Sequence, residues 1–292
     1  MRIIKISIIG AGSIGLLYGA YLSRHHKVTF YVRNLEQLNE INNNGVQIIG
    51  NTPCKNINAK LISEFNGAEL IILTLKQTVL ESFIKENSSF LEGVPLIFLQ
   101  NGLSHLNYID ALDFEISIGI VDHGASKVSH TKVKHLGKGE TKLATYNMDN
   151  EKLRNIANML TETDFKFKVY DNWQSISYKK LVINATINPL TAIFNIKNGE
   201  LLESNYLKKI AKKLCFEAST TLNLVPVDEW ESVKSIIIQT AKNTSSMCAD
   251  LNNNRITEID AITGYILNIS QEETPYSSAI YNTVKYLEER GK

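Results

Sequence analysis

The chain has 292 residues, 43% hydrophobic and 21% charged, with 31 basic against 30 acidic side chains and a formal net charge of +1. That length exceeds a single ordinary core of about 100 to 200 residues, so two domains are expected. Near-neutrality excludes a net field that would draw the protein onto nucleic acid or an anionic membrane, and any anionic ligand must be held by local groups.

Cys54, Cys215 and Cys248 are three in number and far apart, without the spacing of a metal site or a disulfide framework. They read as buried filler in a reduced, cytoplasmic setting. No apolar run approaches the roughly 20 residues of a membrane span, and Met1 leads into a strand-like segment rather than a cleavable leader. His25, His26, His105, His130 and His135 form no ligand spacing, so no metal is expected, and His123 reads as a structural polar group. Oligomeric state, a homodimer included, leaves no mark.

In chain order, Ile3 to Ile9 is β-branched and apolar, Ile14 to Arg24 reads as a helix after a glycine turn, and Lys27 to Arg33 reads as a second strand. Leu70 to Leu75, Leu96 to Leu99 and Ile116 to Val121 are short apolar runs without polar alternation, as strands covered on both faces should be. This is the pattern of an α/β domain with a parallel sheet. From Asn172 onward helical periods take over: Ile176 to Phe194, Leu207 to Leu222, Val233 to Leu251 and Ile256 to Ile269. The expected division is therefore a parallel-sheet domain over residues 1–168 and an all-helical domain over 169–292.

Gly10, Gly12 and Gly15 form G-x-G-x-x-G between the first strand and the first helix. Gly10 permits a tight turn, Gly12 lets backbone approach a pyrophosphate, and Gly15 lets the helix lie close to the strand. The phosphates then meet the free N–H groups of a helix N-terminus, the Rossmann-type arrangement for a dinucleotide, with Ala11, Ser13 and Ile14 completing the segment. An enzyme that reads the ribose 2′-hydroxyl of NAD places an acid at the end of the second strand. Here Arg33 and Asn34 stand there, and a guanidinium pairs bidentately with a 2′-phosphate, which favours NADP(H). The alternative is an exposed loop arginine. Lys76, after the strand at Leu70, faces the cofactor or is a solvated loop lysine.

Lys180, Asn184 and Asn188 recur every four residues and share a stripe on a largely apolar helix, where Leu181, Ile183 and Ile187 are expected to pack elsewhere. Such a stripe reads as a cavity wall, or else as three side chains reaching solvent. Pro189 removes a helix hydrogen bond beside it and predicts a kink.

These residues carry a resemblance. The stretch Lys180 to Leu201 (KLVINATINPLTAIFNIKNGEL), with Gly10 to Gly15, Leu73 to Lys76, Gln100-Asn101-Gly102, Asn243 to Met247 and Thr257 to Asp260, resembles the ketopantoate reductase family in motif order across nearly the whole chain. The resemblance implies NADPH-dependent reduction of a small 2-oxo acid, ketopantoate, to pantoate on the route to pantothenate and coenzyme A. It implies that Lys180 is the general acid, and that Asn101, Asn184, Asn188, Asn198, Asn243 and Ser246 bind substrate. It also implies that Asn101, Ala125 and Glu258 lie near the cofactor, with Glu258 either binding a ribose hydroxyl or keeping Lys180 charged. The alternatives are another NAD(P)-dependent 2-oxo acid or 3-hydroxyacid dehydrogenase, and a non-enzymatic NADPH-binding regulator.

Overall fold

The computed structural model describes residues 2–110 and 112–291. It contains strands β1 (Lys5–Ile9), β2 (Lys27–Val32), β3 (Gln47–Ile48), β4 (Ile57–Leu61), β5 (Leu70–Leu73), β6 (Leu96–Phe98), β7 (Ile116–Val121), β8 (Gly124–Lys127), β9 (Lys132–Gly137), β10 (Glu140–Thr145) and β11 (Lys166–Tyr170). The helices are α1 (Ser13–Leu22), α2 (Leu35–Asn44), α3 (Gln77–Leu91), α4 (Leu106–Ile109), α5 (Asn150–Leu160) and α6 (Trp173–Phe194), followed by α7 (Glu200–Glu203), α8 (Asn205–Thr221), α9 (Pro226–Gln239), α10 (Ser246–Asn252), α11 (Tyr265–Ile269) and α12 (Pro275–Arg290). Two compact units form: the first reaches Gln100 and resumes over Tyr108–Ile176, and the second takes Asn101–Asn107 together with the chain from Ser177. The sheet unit thus runs past residue 168, because β11 pairs with β10.

In the first unit an eight-stranded sheet has the order β11-β10-β7-β6-β5-β1-β2-β4, and a three-stranded sheet has the order β3-β9-β8. The five apolar runs seen in the sequence are the central parallel strands β2, β1, β5, β6 and β7. Every residue of β5 and β7 is buried, since both faces of the sheet are covered. β4 (INAKL) and β11 (KFKVY) alternate buried and exposed positions, as edge strands half open to water do. Among the described residues, the one antiparallel pairing in the large sheet is β7 with β10.

α1 is buried at every position from Gly15 to Leu22. It packs on β1 and β2 and also on β3, β8 and β9, so no face is left for polar residues. At its rear lies an aromatic and histidine cluster. The His123 ring stacks on Phe165 with centroids 4.5 Å apart, and Tyr21 stacks on the same ring at 4.3 Å.

In the second unit α8 buries Ala211, Leu214, Cys215 and Ala218, a stripe of helical spacing. α8 packs on α7, α9 and α12. α6 continues through Pro189 without interruption. The helix expected over Val233 to Leu251 is two helices, α9 and α10. Ser245 ends the gap by capping α10, its Oγ accepting from the Cys248 amide at 3.1 Å, and polar Asn243-Thr244-Ser245 favours such a start over a continued helix. The segment expected to be helical from Ile256 begins only at Ile259, and its first full turn, Asp260–Gly264, is a π-turn. Glu258 therefore sits in a bend ahead of the helix rather than on it. Cys54 is half-buried and donates to the Ala20 carbonyl, while Cys215 and Cys248 are buried. Among the described residues no helix is long and apolar enough to cross a membrane.

The His123 cluster makes the sheet unit acid-sensitive. His123 Nδ1 accepts from the Gly139 amide at 3.2 Å and lies 3.2 Å from His135 Nε2, so this nitrogen must be unprotonated. Burial, reinforced by the facing His135, pushes the His123 pKa down to about 4 from 6.5. Between those values the unfolded chain binds a proton that the folded one refuses, so the stabilisation is complete above pH 6.5 and is lost as pH falls toward 4. Thermal melts at pH 7, 6 and 5 are expected to show Tm falling by several degrees. His123→Asn should have a lower Tm at pH 7 and a flatter dependence, and an unchanged pH slope in that variant would remove His123 as the cause.

Candidate active site

The glycine segment is shaped by three contacts in the first unit. Gly10 has φ +104°, a conformation that side chains disfavour, and its amide donates to the Tyr31 carbonyl at 2.9 Å, turning the chain off β1. A Cβ on Gly15 would lie 2.2 Å from the Gly10 carbonyl oxygen and 2.8 Å from Thr74 Oγ1, so only glycine lets α1 come this close. A Cβ on Gly12, by contrast, would meet nothing within 4 Å. Packing does not require glycine there. What it preserves is open space before the first amides of α1, the position a pyrophosphate needs.

Three side chains not recognised in the sequence fix this loop. Thr74 Oγ1 donates to the Gly10 carbonyl at 2.9 Å. Buried Gln37 donates through Nε2 to the carbonyls of Ala11 and His130, each at 2.9 Å. Lys127, at the end of β8, donates through Nζ to the Ala11 carbonyl at 3.2 Å. Desolvation holds the Lys127 amine below its usual pKa, partly offset by Glu40, which is the condition of a cation that a second anion would stabilise.

The loop forms one end of a cleft of about 370 Å³ that Gly10, Ala11, Gly12, Arg33, Lys76 and Lys127 help to line. Among the described residues that line it, three are cationic and none carries a carboxylate. Asn34 is engaged as the cap of α2, its Oδ1 accepting from the Gln37 amide at 2.8 Å, which leaves Arg33 as the charged group at the end of β2. These features fit a dinucleotide with an extra phosphate on its ribose. Of the other residues assigned to the cofactor, Ser13 opens α1, Ile14 packs toward the core, and Gly15 is buried behind the turn. Ala125 lies on β8, two residues before Lys127, at an irregularity in the pairing with β9. Glu36, Glu40 and His130 bring ligand-type atoms within 4.8 Å of one another, a grouping that the histidine spacing did not reveal.

The second unit holds the residues expected to bind substrate in three places. Lys180, Asn184 and Asn188 are all half-buried on α6, whereas Leu181, Val182, Ala185 and Ile187 are buried. The stripe therefore lies at the margin of the buried apolar positions of this part of the helix. At its end, Thr191 Oγ1 lies within hydrogen-bond distance of the carbonyls of Ile187 and Asn188, at 2.9 and 3.0 Å, and of Ser245 Oγ at 2.7 Å. That contact ties the stripe to the N-terminus of α10, whose first residue is Ser246.

After α6 the chain turns at Asn195, φ +50°, and is sewn to the segment before α10. The Asn198 amide donates to the Asn243 carbonyl at 3.1 Å, and the Gly199 amide to Ala241 at 3.0 Å. Asn198 is buried; its Nδ2 donates to Thr240 Oγ1 at 2.9 Å, and its Oδ1 has no partner among the described residues. A buried acceptor left this way suits a hydroxyl donor. The side chains of Asn243 and Ser246 are exposed. In the third place Asn101 and Glu258 meet, Nδ2 donating to Oε2 at 3.2 Å.

Comparison with known proteins identifies the family. Residues 6–148 match the model of ketopantoate reductase PanE/ApbA, and residues 172–288 match the model of its C-terminal domain. The 2-dehydropantoate 2-reductase of Listeria monocytogenes is 37% identical over 98% of this chain and 97% of its own. That of Bacillus subtilis is 34% identical over 97% of each. Among solved structures, the probable 2-dehydropantoate 2-reductase panE of B. subtilis superposes with a TM-score of 0.86 at 34% identity, covering 97% of this chain and 99% of that one. D-mandelate dehydrogenase with NADH and anilino(oxo)acetate superposes with a TM-score of 0.91 at 25% identity, covering 98% and 99%. The protein belongs to the ketopantoate reductase family.

Proposed function

We propose that this enzyme reduces the 2-oxo group of ketopantoate to the hydroxyl of pantoate with NADPH, on the route to pantothenate and coenzyme A, and that Lys180 is its general acid. The observation that carries the assignment of Lys180 is its place on α6 in a half-buried stripe with Asn184 and Asn188, beside the buried apolar Leu181, Val182, Ala185 and Ile187. The first unit is the cofactor domain and the second the substrate domain, acting in the cytoplasm.

Bound NADPH supplies the hydride that reaches the keto carbon. As negative charge grows on the keto oxygen, the Lys180 ammonium donates a hydrogen bond and then the proton, leaving a neutral amine that solvent reprotonates. The amides of Asn184 and Asn188 and the hydroxyl of Ser246 are donors for the substrate carboxylate and orient it without a second full cation. The unpaired Asn198 Oδ1 accepts from the substrate hydroxyl, and a site built to do so discriminates against acids that lack one. Asn101 and Glu258, already hydrogen-bonded to each other, hold the nicotinamide ribose and the substrate side of the ring. In the cleft of the first unit Arg33 pairs with the 2′-phosphate, Lys76 and Lys127 add positive charge, and the amides at Gly12 and Ser13 meet the pyrophosphate.

A second reading, a dehydrogenase for 2-oxo acids with bulkier side chains, is favoured by one observation, the likeness to D-mandelate dehydrogenase at a TM-score of 0.91.

Lys180→Ala is expected to lower the rate of hydride transfer by about 100-fold or more, the scale of lost acid catalysis, with NADPH affinity little changed. Single-turnover absorbance at the reduced nicotinamide band checks this, and wild-type turnover in the variant would remove Lys180 from the mechanism. Arg33→Ala is expected to raise the Kd for NADPH by about 10-fold or more and that for NADH hardly at all, as read by quenching of protein fluorescence. Equal losses for both nucleotides would mean that the guanidinium does not read the 2′-phosphate.

A further inference from the structure

Glu258 lies in a segment that local propensity does not fix. Asn254 just before it has φ +51°, and the chain from Arg255 to Glu258 belongs to no helix or strand. The segment is nevertheless held by the last helix of the chain. Thr257 is 2% exposed, and both its amide and its Oγ1 donate to the same carboxylate oxygen, Glu288 Oε1, each at 2.7 Å. Thr257 Oγ1 in turn accepts from the Ile259 amide at 3.1 Å, which forces the turn at Glu258 before helix begins.

The other side of the Glu288 carboxylate is paired as well. Lys285 Nζ lies 3.2 Å from Glu288 Oε2 and 2.9 Å from Asp260 Oδ2, and Tyr281 donates its hydroxyl to Asp260 Oδ1 at 2.7 Å. Residues 257 and 260 are thus both anchored on α12, one on each side of Glu258. The π-turn that follows presents the Ala261 carbonyl to the loop carrying Asn101, where it accepts from the Leu103 amide at 2.9 Å. A Cβ on Gly102, whose φ is +74°, would lie 2.2 Å from that oxygen, so the loop fits against the turn without slack.

We infer that Glu288 and Thr257 form a positioning clamp, through which α12 sets the place of the Glu258 carboxylate and of its hydrogen bond to Asn101. Their effect on turnover passes through Glu258, so the inference rests on the role given to Glu258 above. A carboxylate bonded to two donors of one threonine costs a variant more than a single surface contact would, since removing the hydroxyl leaves a buried charge short of a partner.

The test is a double-mutant cycle on the full-length enzyme, with kcat/KM for ketopantoate and NADPH as the readout and Tm as a control for folding. Glu258→Gln is expected to lower kcat/KM by about 10-fold or more, Thr257→Val by a similar factor, and the double variant no further than Glu258→Gln alone. Thr257→Ser, which keeps the hydroxyl, should restore kcat/KM to within about twofold of wild type. If Thr257→Val is too unstable to assay, Lys285→Met, which unlinks Asp260 from Glu288, replaces it in the same cycle with the same expected non-additivity. Wild-type kcat/KM in Glu258→Gln would overturn the role of Glu258 and the clamp with it. An impaired Glu258→Gln beside a folded Thr257→Val of wild-type kcat/KM, or losses that multiply in the double variant, would overturn the clamp alone.

Discussion

No side chain fits between the first turn of α1 and the end of β1: the Gly10 carbonyl oxygen stands where a Cβ of residue 15 would be, 2.2 Å from it. The cofactor end of the sheet unit depends on that backbone approach. It brings the opening amides of α1 over the carboxyl end of the central strands, where open α/β sheets bind their ligands. It also explains why the loop is held by side chains reaching its carbonyls, Thr74 to Gly10 and Gln37 and Lys127 to Ala11, rather than by packing. The charged side chains lining the cleft beside this loop are Arg33, Lys76 and Lys127. A net charge of +1 is compatible with a strongly anionic cofactor because the positive charge is local.

The helical unit solves a different problem, keeping polar side chains available in an interior that burial would otherwise make costly for them. It does so with pairs. Thr191 joins the end of α6 to the cap of α10, Asn198 is bound by its amide group to Thr240, and Asn101 meets Glu258. Each pairing fixes a side chain or the backbone beside it, and at Asn198 it leaves a buried Oδ1 without a partner among the described residues. Such preorganisation lowers the ordering cost of binding and of the charged transition state.

The parts of the molecule legible in the sequence are those governed by near neighbours. The glycine turn, the five central strands and the stripe at Lys180, Asn184 and Asn188 all follow from spacing within about 20 residues. Edge strands β4 and β11 were not legible, because their lysines interrupt the apolar runs that mark buried strands. The break between α9 and α10 was hidden by apolar residues that keep helical spacing on both sides of it, and only the Ser245 cap ends the gap. Gln37 and Lys127 were missed because their contacts to Ala11 span 26 and 116 residues, and the Thr257–Glu288 pair because it spans 31. The family motif marks Asn198, but that its Oδ1 is buried without a partner among the described residues is a tertiary fact.

This chain is built for a 2-oxo acid bearing a hydroxyl, reduced by NADPH. The most direct test is steady-state kcat/KM with NADPH for ketopantoate against pyruvate, 2-oxoisovalerate and phenylglyoxylate at one pH and ionic strength. 2-Oxoisovalerate lacks the hydroxymethyl group of ketopantoate, so the ratio of those two measures what the hydroxyl contributes. Ketopantoate is expected to exceed each of the others by about 100-fold or more, because a substrate without the hydroxyl leaves the buried acceptor of the site unpaired. Equal or better turnover of any of the other three would contradict the account.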